Sequence, residues 1–388
     1  MIHDPLSTES IAALAQALIR CPSVNPSIAP DEAQGEDAVA TLACEWLNEH
    51  GVEAWKEDDG SGRPNAVAKV EGEPGPTLVL CAHLDTVGTA GMEAAFEPTI
   101  RDGRLYGRGS YDMKGSAAAI MCAAVALTRR PLVGRLMLAL VADEEYASVG
   151  AQRFVERHRA DACILTEASA GDLVLAHRGF VWAEIVTRGR RVHGSRWDLG
   201  VSAVGRMGRV IAALDDFDTG VLRRRAHPLL GPASMHCAIV AGGVGLSTYA
   251  PECKLQVERR TLPGEATATV LEELRSCARV GGDGVEVRLL LERAPLDVSR
   301  DAPIANCVRD AATRTVGTPP REIGVPYWLD AAIFAAGGIP TVNFGPDGDG
   351  AHETIEWVDL ESLVRVARVT TEAALGFHRF AAPRATRA

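Results

Sequence analysis

Positive charge is in short supply in this 388-residue chain: 51 acidic residues against 40 lysines and arginines leave a formal charge of -11. Binding a phosphate backbone needs a concentrated basic surface, so nucleic acid is excluded as an expected partner. The short clusters Arg188 to Arg191 and Arg223 to Arg225 read as solvated turns. No apolar run approaches the ~18 residues of a membrane span. The apolar stretch Ile11 to Ile19 has no basic segment before it, so neither export nor a membrane span is expected. The nine cysteines include no CxxC pair, which argues against a disulfide framework and for a reducing cytoplasm. Asn25-Pro26-Ser27 is spoiled as a glycosylation site by its proline. A phosphate loop is also missing, since Lys114 precedes Gly115 and the GK[ST] order is absent. Gly242-Gly243-Val244-Gly245 lacks the strand-to-helix context of a dinucleotide site.

What is present is 47% hydrophobic residues at near-zero mean hydropathy, enough for a large core and two domains. Helical spacing covers residues 8–20 and 36–50, an Ala-rich stretch from Lys114 to Thr128, and residues 147–158. Between them, 64–70, Thr77 to Ala82, Leu136 to Ala142 and Ala162 to Leu165 are short apolar runs of buried-strand character. This alternation predicts an α/β fold, a central sheet flanked by helices. From 179 to 291 the order is βαββαβ, with helices over Val201 to Leu214 and Ala266 to Ala278. That is the split arrangement of a ferredoxin-like α+β unit. The expected organisation is a first domain part over 1–178, an inserted unit over 179–291, and a second part over 292–388 that folds back onto the first.

Metal-ligand residue types recur at the ends of the predicted strands. His83 closes the run TLVLCAH, and Asp85 is placed to accept the hydrogen bond of its non-ligating ring nitrogen. Gly107-Arg108-Gly109-Ser110-Tyr111-Asp112-Met113-Lys114-Gly115 wraps a tight backbone around one carboxylate. Asp112 there can bridge two cations or cap the following helix. Asp143-Glu144-Glu145 sets three carboxylates at the end of a buried strand, where a cation and a retained proton relieve their repulsion. Adjacent side chains diverge, so Glu145 can ligate while Glu144 acts as a base. Glu167 ends another apolar run, and His352 supplies a second imidazole.

Together with Val192-His193-Gly194-Ser195, Arg260 to Glu265, Leu329-Asp330-Ala331 and Gly345-Pro346, these segments resemble a zinc metallopeptidase family. It is the family of acetylornithine deacetylase, succinyl-diaminopimelate desuccinylase, aminoacylase and G-type carboxypeptidase. The resemblance runs over essentially the full length. It implies a metallopeptidase catalytic domain with a mixed central sheet, and an inserted lid and dimerisation domain. Two Zn2+ ions, with Co2+ able to substitute, are implied. His83 and Glu167 would hold one and Glu145 and His352 the other, with Asp112 bridging. Glu144 would be the general base and Asp85 the partner of His83. His193 would help form an oxyanion hole, reaching into the neighbouring subunit of a homodimer. Arg260 would meet a substrate carboxylate, or else pair with Glu258 or Glu265. Thr248 stands where many members have Asn, and Ile355 replaces a usual acidic residue, with Glu356 matching the next position.

The implied activity is hydrolysis of the amide of a small N-acyl amino acid in the cytoplasm, with no nucleic acid or membrane partner. A di- or carboxypeptidase of the same family is the enzymatic alternative, and a metal-binding homologue without turnover the non-enzymatic one. Trp197, Tyr327 and Trp328 are candidates to line an apolar pocket.

Overall fold

Small side chains set the packing at the centre of the first of two units. The computed structural model describes residues 4–381. In it, the helix Gly115–Leu127 is buried along its whole length. Its sequence GSAAAIMCAAVAL has no polar face to present, and its alanines let neighbouring helices approach closely. Those neighbours are Thr8–Ile19, N-capped by Ser7, and Leu360–Gly376, N-capped by Asp359. Each cap oxygen accepts a first-turn N–H, which suits Ser and Asp there.

The first unit comprises the chain up to Leu175, Val298–Ile323 and the segment from Leu329 onward. Its sheet runs in the order Glu53–Glu57, Asn65–Glu71, Val133–Val141, Glu73–His83, Ala162–Leu165, Thr341–Asn343 and Leu173–His177. Glu73–His83 lies between Val133–Val141 and Ala162–Leu165 and is parallel to both. Asn65–Glu71 is antiparallel, so the sheet is mixed. Parallel strands end at the same edge, and His83, Asp143 and Glu167 all fall at or just beyond those ends. A smaller sheet pairs Arg104–Tyr106 with Trp357–Asp359, Tyr106 opposite Trp357. It sets the Gly107–Gly115 loop beside the chain that follows His352. The strand Glu53–Glu57 and this small sheet have too few apolar residues to be read from periodicity.

The second unit spans Ala176–Asp297 and takes in Gly324–Trp328. It therefore starts before residue 179 and ends beyond 291. Antiparallel pairing carries Glu286–Arg293 past the apolar run as far as Arg293 opposite Phe180. Its sheet order is Ser234–Gly242, Glu252–Thr261, Gly179–Arg188, Glu286–Arg293. The chain order is β-α-β-β-α-β, with helices Ala203–Gly220 and Thr267–Ala278. Alternate residues Val181, Ala183 and Ile185 pack with Met207, Val210, Leu214, Val270 and Leu274, as half-buried strands require. Gly242 to Gly245 leads from the edge strand into a loop, not a helix.

The nine cysteines are unpaired thiols. No helix among the described residues is long and apolar enough to cross a membrane.

His177 in the second unit gives a pH prediction. Its ring is buried, Nε2 has no hydrogen-bond partner, and Trp328 meets it edge-on at 6.2 Å. Burial pushes its pKa down to about 4. The unfolded chain therefore binds more protons below its ordinary value, and stability falls as pH drops from about 6.5 toward 4, by at most about 3 kcal/mol. Urea unfolding across that range should give a shallower loss for His177→Phe than for the wild type. Equal slopes would refute the assignment.

Candidate metal centre

His83 is the last residue of its strand and is 1% exposed. Nδ1 lies 2.9 Å from the carbonyl oxygen of Asp85, which can only accept, so the other ring nitrogen, Nε2, is the one turned to the neighbouring carboxylates. Nε2 lies 2.9 Å from Asp112 Oδ1 and 3.4 Å from Glu167 Oε1. The Asp85 carboxylate lies 3.5 Å from the same Nδ1 that faces its carbonyl. It also accepts from Asn25 Nδ2 at 2.7 Å and from the backbone N–H groups of Glu144 and Glu145 at 3.1 and 3.2 Å. Asp85 thus flanks the His83 ring with its carbonyl and carboxylate oxygens and shapes the next loop through its carboxylate.

That loop turns at Asp143, whose φ of 67° is a left-handed conformation uncommon outside glycine. The three adjacent carboxylates then meet different fates. Asp143 accepts from Arg63 Nη2 and Asn25 Nδ2, both at 3.0 Å, and Arg63 is itself paired with the buried Glu36. Glu145 Oε2 lies 3.1 Å from His352 Nε2. Glu144 has neither kind of partner, and burial, followed by the charge of Asp330, raises its pKa well above the usual carboxylate range.

His352 Nε2 also approaches Asp112 Oδ2, at 3.2 Å. The two oxygens of Asp112 therefore face two different imidazoles. Asp112 does not cap the following helix, which starts without any side-chain cap. The loop needs glycine at 109, where φ is +78° and a Cβ would stand 2.8 Å from Thr86. Gly345 is required for closeness, since a Cβ there would collide with the Glu167 carbonyl.

Ligand atoms of His83, Asp112 and Glu145 lie within 4.8 Å of one another, and so do those of His83, Glu144 and Glu167. Burial raises Glu145 to about 7, and Asp112 adds to the effect. Burial likewise raises Asp330, which is 0% exposed, to about 7. Asp112 is held well below the usual range by His352 and His83 in spite of its burial. Hydrogen bonds to Asp112 and Glu145 lift His352 to about 10. Five carboxylates, Asp112, Glu144, Glu145, Glu167 and Asp330, thus crowd around two imidazoles. Among the described residues, Glu145 Oε1 is buried without a hydrogen-bond partner, and the buried Asp330 carboxylate has no cationic partner, only the neutral Ser148 hydroxyl beside it. An excess of buried anionic oxygens beside outward-facing imidazole nitrogens is a donor set that fits divalent cations of the zinc type.

His193, Thr248 and Arg260 lie on the second unit. His193 pairs with Thr248 in an antiparallel bridge, and its Nδ1 is 2.8 Å from Ser195 Oγ. Arg260 is 2.7 Å from Glu258, at ion-pair distance without hydrogen-bond alignment, and its guanidinium lies 5.5 Å above the Phe180 ring. Glu265 is engaged by Arg259 and by the Leu262 N–H. Trp197 and Tyr327 are exposed, while Trp328 packs edge-on against Phe180 and His177.

The sequence model of peptidase family M20/M25/M40 matches residues 79–376. The chain belongs to this family. It is a metal-dependent hydrolase acting on amides, as its M20/M25/M40 membership establishes. Acetylornithine deacetylase of Myxococcus xanthus is 32% identical over 366 residues, covering 89% of this chain and 91% of that protein. Among solved M20-type structures, an aminopeptidase from Bacillus cereus superposes with a TM-score of 0.80 at 18% identity, covering 96% and 99% of the two chains. A dinuclear metal-binding M20 peptidase of Bacillus subtilis gives 0.76 at 18% identity, covering 96% and 99%.

Asn25, Glu36 and Arg63 hold the Asp85 and Asp143 segments without any sequence signal of their own. They lie 118, 107 and 80 positions from Asp143, and no periodicity links them. Asp330 was visible only as part of a motif, and the burial of its carboxylate among the other acids is a tertiary fact.

Proposed function

We propose that the protein is a dinuclear zinc amidohydrolase that cleaves the amide of a small N-acyl amino acid. The observation that carries this is Asp112, with His83 at 2.9 Å from one oxygen and His352 at 3.2 Å from the other. In this reading His83 and Glu167 would hold one ion and Glu145 and His352 the other, with Asp112 as the ligand they would share. Bound there, two divalent cations, with cobalt able to replace zinc, would polarise the substrate carbonyl and make water acidic enough to ionise near neutral pH. Glu144, raised by its surroundings and lacking a basic partner, takes the proton of the attacking water and passes it to the leaving amine. Asp85 keeps the His83 ring oriented and holds the Glu144 and Glu145 backbone in place.

By family resemblance, His193 supplies an oxyanion donor, Arg260 a substrate carboxylate contact and Thr248 a nearby polar contact. The second unit then serves as lid and dimerisation surface of a cytoplasmic homodimer. The curated relative at 32% identity, a deacetylase, supports acyl substrates over peptides. Protein loaded with zinc or cobalt should release amino acid from acetyl, succinyl or aromatic acyl amino acids faster than it cleaves dipeptides. Faster dipeptide cleavage would replace this reading with a peptidase, and no cleavage of either class would overturn it.

A further inference from the structure

Two residues read as metal ligands, Asp112 and His352, sit on loops that are separated by more than two hundred positions, and one buried side chain ties those loops together. Glu356 is 1% exposed. Its Oε2 accepts from Arg108 Nη1 at 2.8 Å and from the Gly109 N–H at 3.0 Å. Its Oε1 accepts from the N–H groups of Tyr111 at 2.8 Å and Asp112 at 3.1 Å. The main chain repeats the link, since the Gly107 N–H donates to the Glu356 carbonyl at 3.2 Å and Arg108 Nη2 to the Glu353 carbonyl at 2.9 Å.

We propose that Glu356 is a positioning residue that clamps the Gly107–Gly115 loop, so that the Asp112 carboxylate is presented between His83 and His352. The role in metal binding rests on the dinuclear reading above; the clamp itself does not. All four partners of the carboxylate are donors, so the side chain must accept on both oxygens. A glutamine of the same shape would turn an NH2 group toward two N–H donors and lose that half of the clamp. Arg108 is equally buried, and Glu356 is its only anionic partner among the described residues. The Arg108 guanidinium therefore offsets the charge that Glu356 places beside Asp112. Because Glu356 lies four residues after His352, movement of the clamp would disturb both ligands together.

The test compares Glu356→Gln and Glu356→Asp with the wild type in the full chain. Amide hydrogen exchange should speed up at residues 109–112 in Glu356→Gln, with the helix Thr8–Ile19 as slow as before. Zinc affinity and kcat should fall by ~10–100-fold, as loss of an outer-shell support does, with KM little changed. Glu356→Asp, which keeps the carboxylate, should recover part of both. Loop exchange and zinc affinity equal to wild type in Glu356→Gln would overturn the clamp. Uniform loss of protection throughout the first unit in both variants would also overturn it, because the role would then be structural only. A wild type that takes up no zinc would overturn the dinuclear reading, while the exchange comparison would still decide the clamp.

Discussion

Glu144→Gln is expected to lose hydrolysis by about 10²- to 10⁴-fold, the range of a general base, while binding metal as the wild type does. The reason lies in how the three carboxylates of Asp143-Glu144-Glu145 are compensated. Asp143, 3.0 Å from the Arg63 guanidinium, shares it with Glu36, and Glu145 faces His352 at 3.1 Å. Glu144 has no cationic hydrogen-bond partner, and burial together with Asp330 makes it hold a proton more readily than an ordinary carboxylate. A base that accepts a proton and then returns it needs that balance, since too weak a base takes no proton in the first step. Glutamine keeps the size and polarity but cannot take a proton. The measurement is kcat on an acyl amino acid, with metal content of the same sample. Unchanged activity would reject the base. Metal lost along with activity would make Glu144 a ligand, a role its position within 4.8 Å of His83 and Glu167 ligand atoms allows.

The second large effect is expected at Asp112. Replacing it with alanine removes the one acceptor shared by both imidazoles, so neither half of the site keeps a full donor set. If the site holds two ions as proposed, metal stoichiometry should fall from two toward none, and activity should fall at least as far as in Glu144→Gln. Asp112→Asn is a finer probe, because its amide can offer an acceptor to only one side. It should keep at most one tightly bound ion. Zinc titration of the stripped protein reads both results, and two tight ions in Asp112→Ala would sink the bridging role. The surrounding scaffold should survive. Asp112 lies in a loop, and the helix that follows is held by its buried alanines without any cap from it.

Most of the first unit was legible because its elements are local. The helices over 8–20 and 36–50 appear as Thr8–Ile19 and Asp37–Glu49, and the run Ala162–Leu165 is a strand with those same bounds. Each pattern is long and apolar enough to declare its period. The strand Glu53–Glu57 is half exposed and polar, and is recognisable only through its pairing with Asn65–Glu71. Gly324–Trp328 belongs to the second unit although its neighbours in sequence belong to the first, and no residue pattern marks that return.

The site divides in the same way. Residue types and their local motifs were determined by the sequence alone: His83, Glu144, Glu145 and Glu167 at or just beyond buried strands, and Asp112 and His352 in loops. The parallel strands explain why, since a ligand at the end of a buried run must emerge at the sheet edge. Only the tertiary structure decided which oxygen faces which nitrogen. It showed that the Asp85 carboxylate also holds a backbone turn and that Asp143 shares Arg63 with Glu36. It also showed Glu356 binding the Asp112 loop across 244 positions. A hydrogen bond between residues so far apart imposes no spacing on the chain, so its partners become visible only when the fold brings them within 3 Å or so.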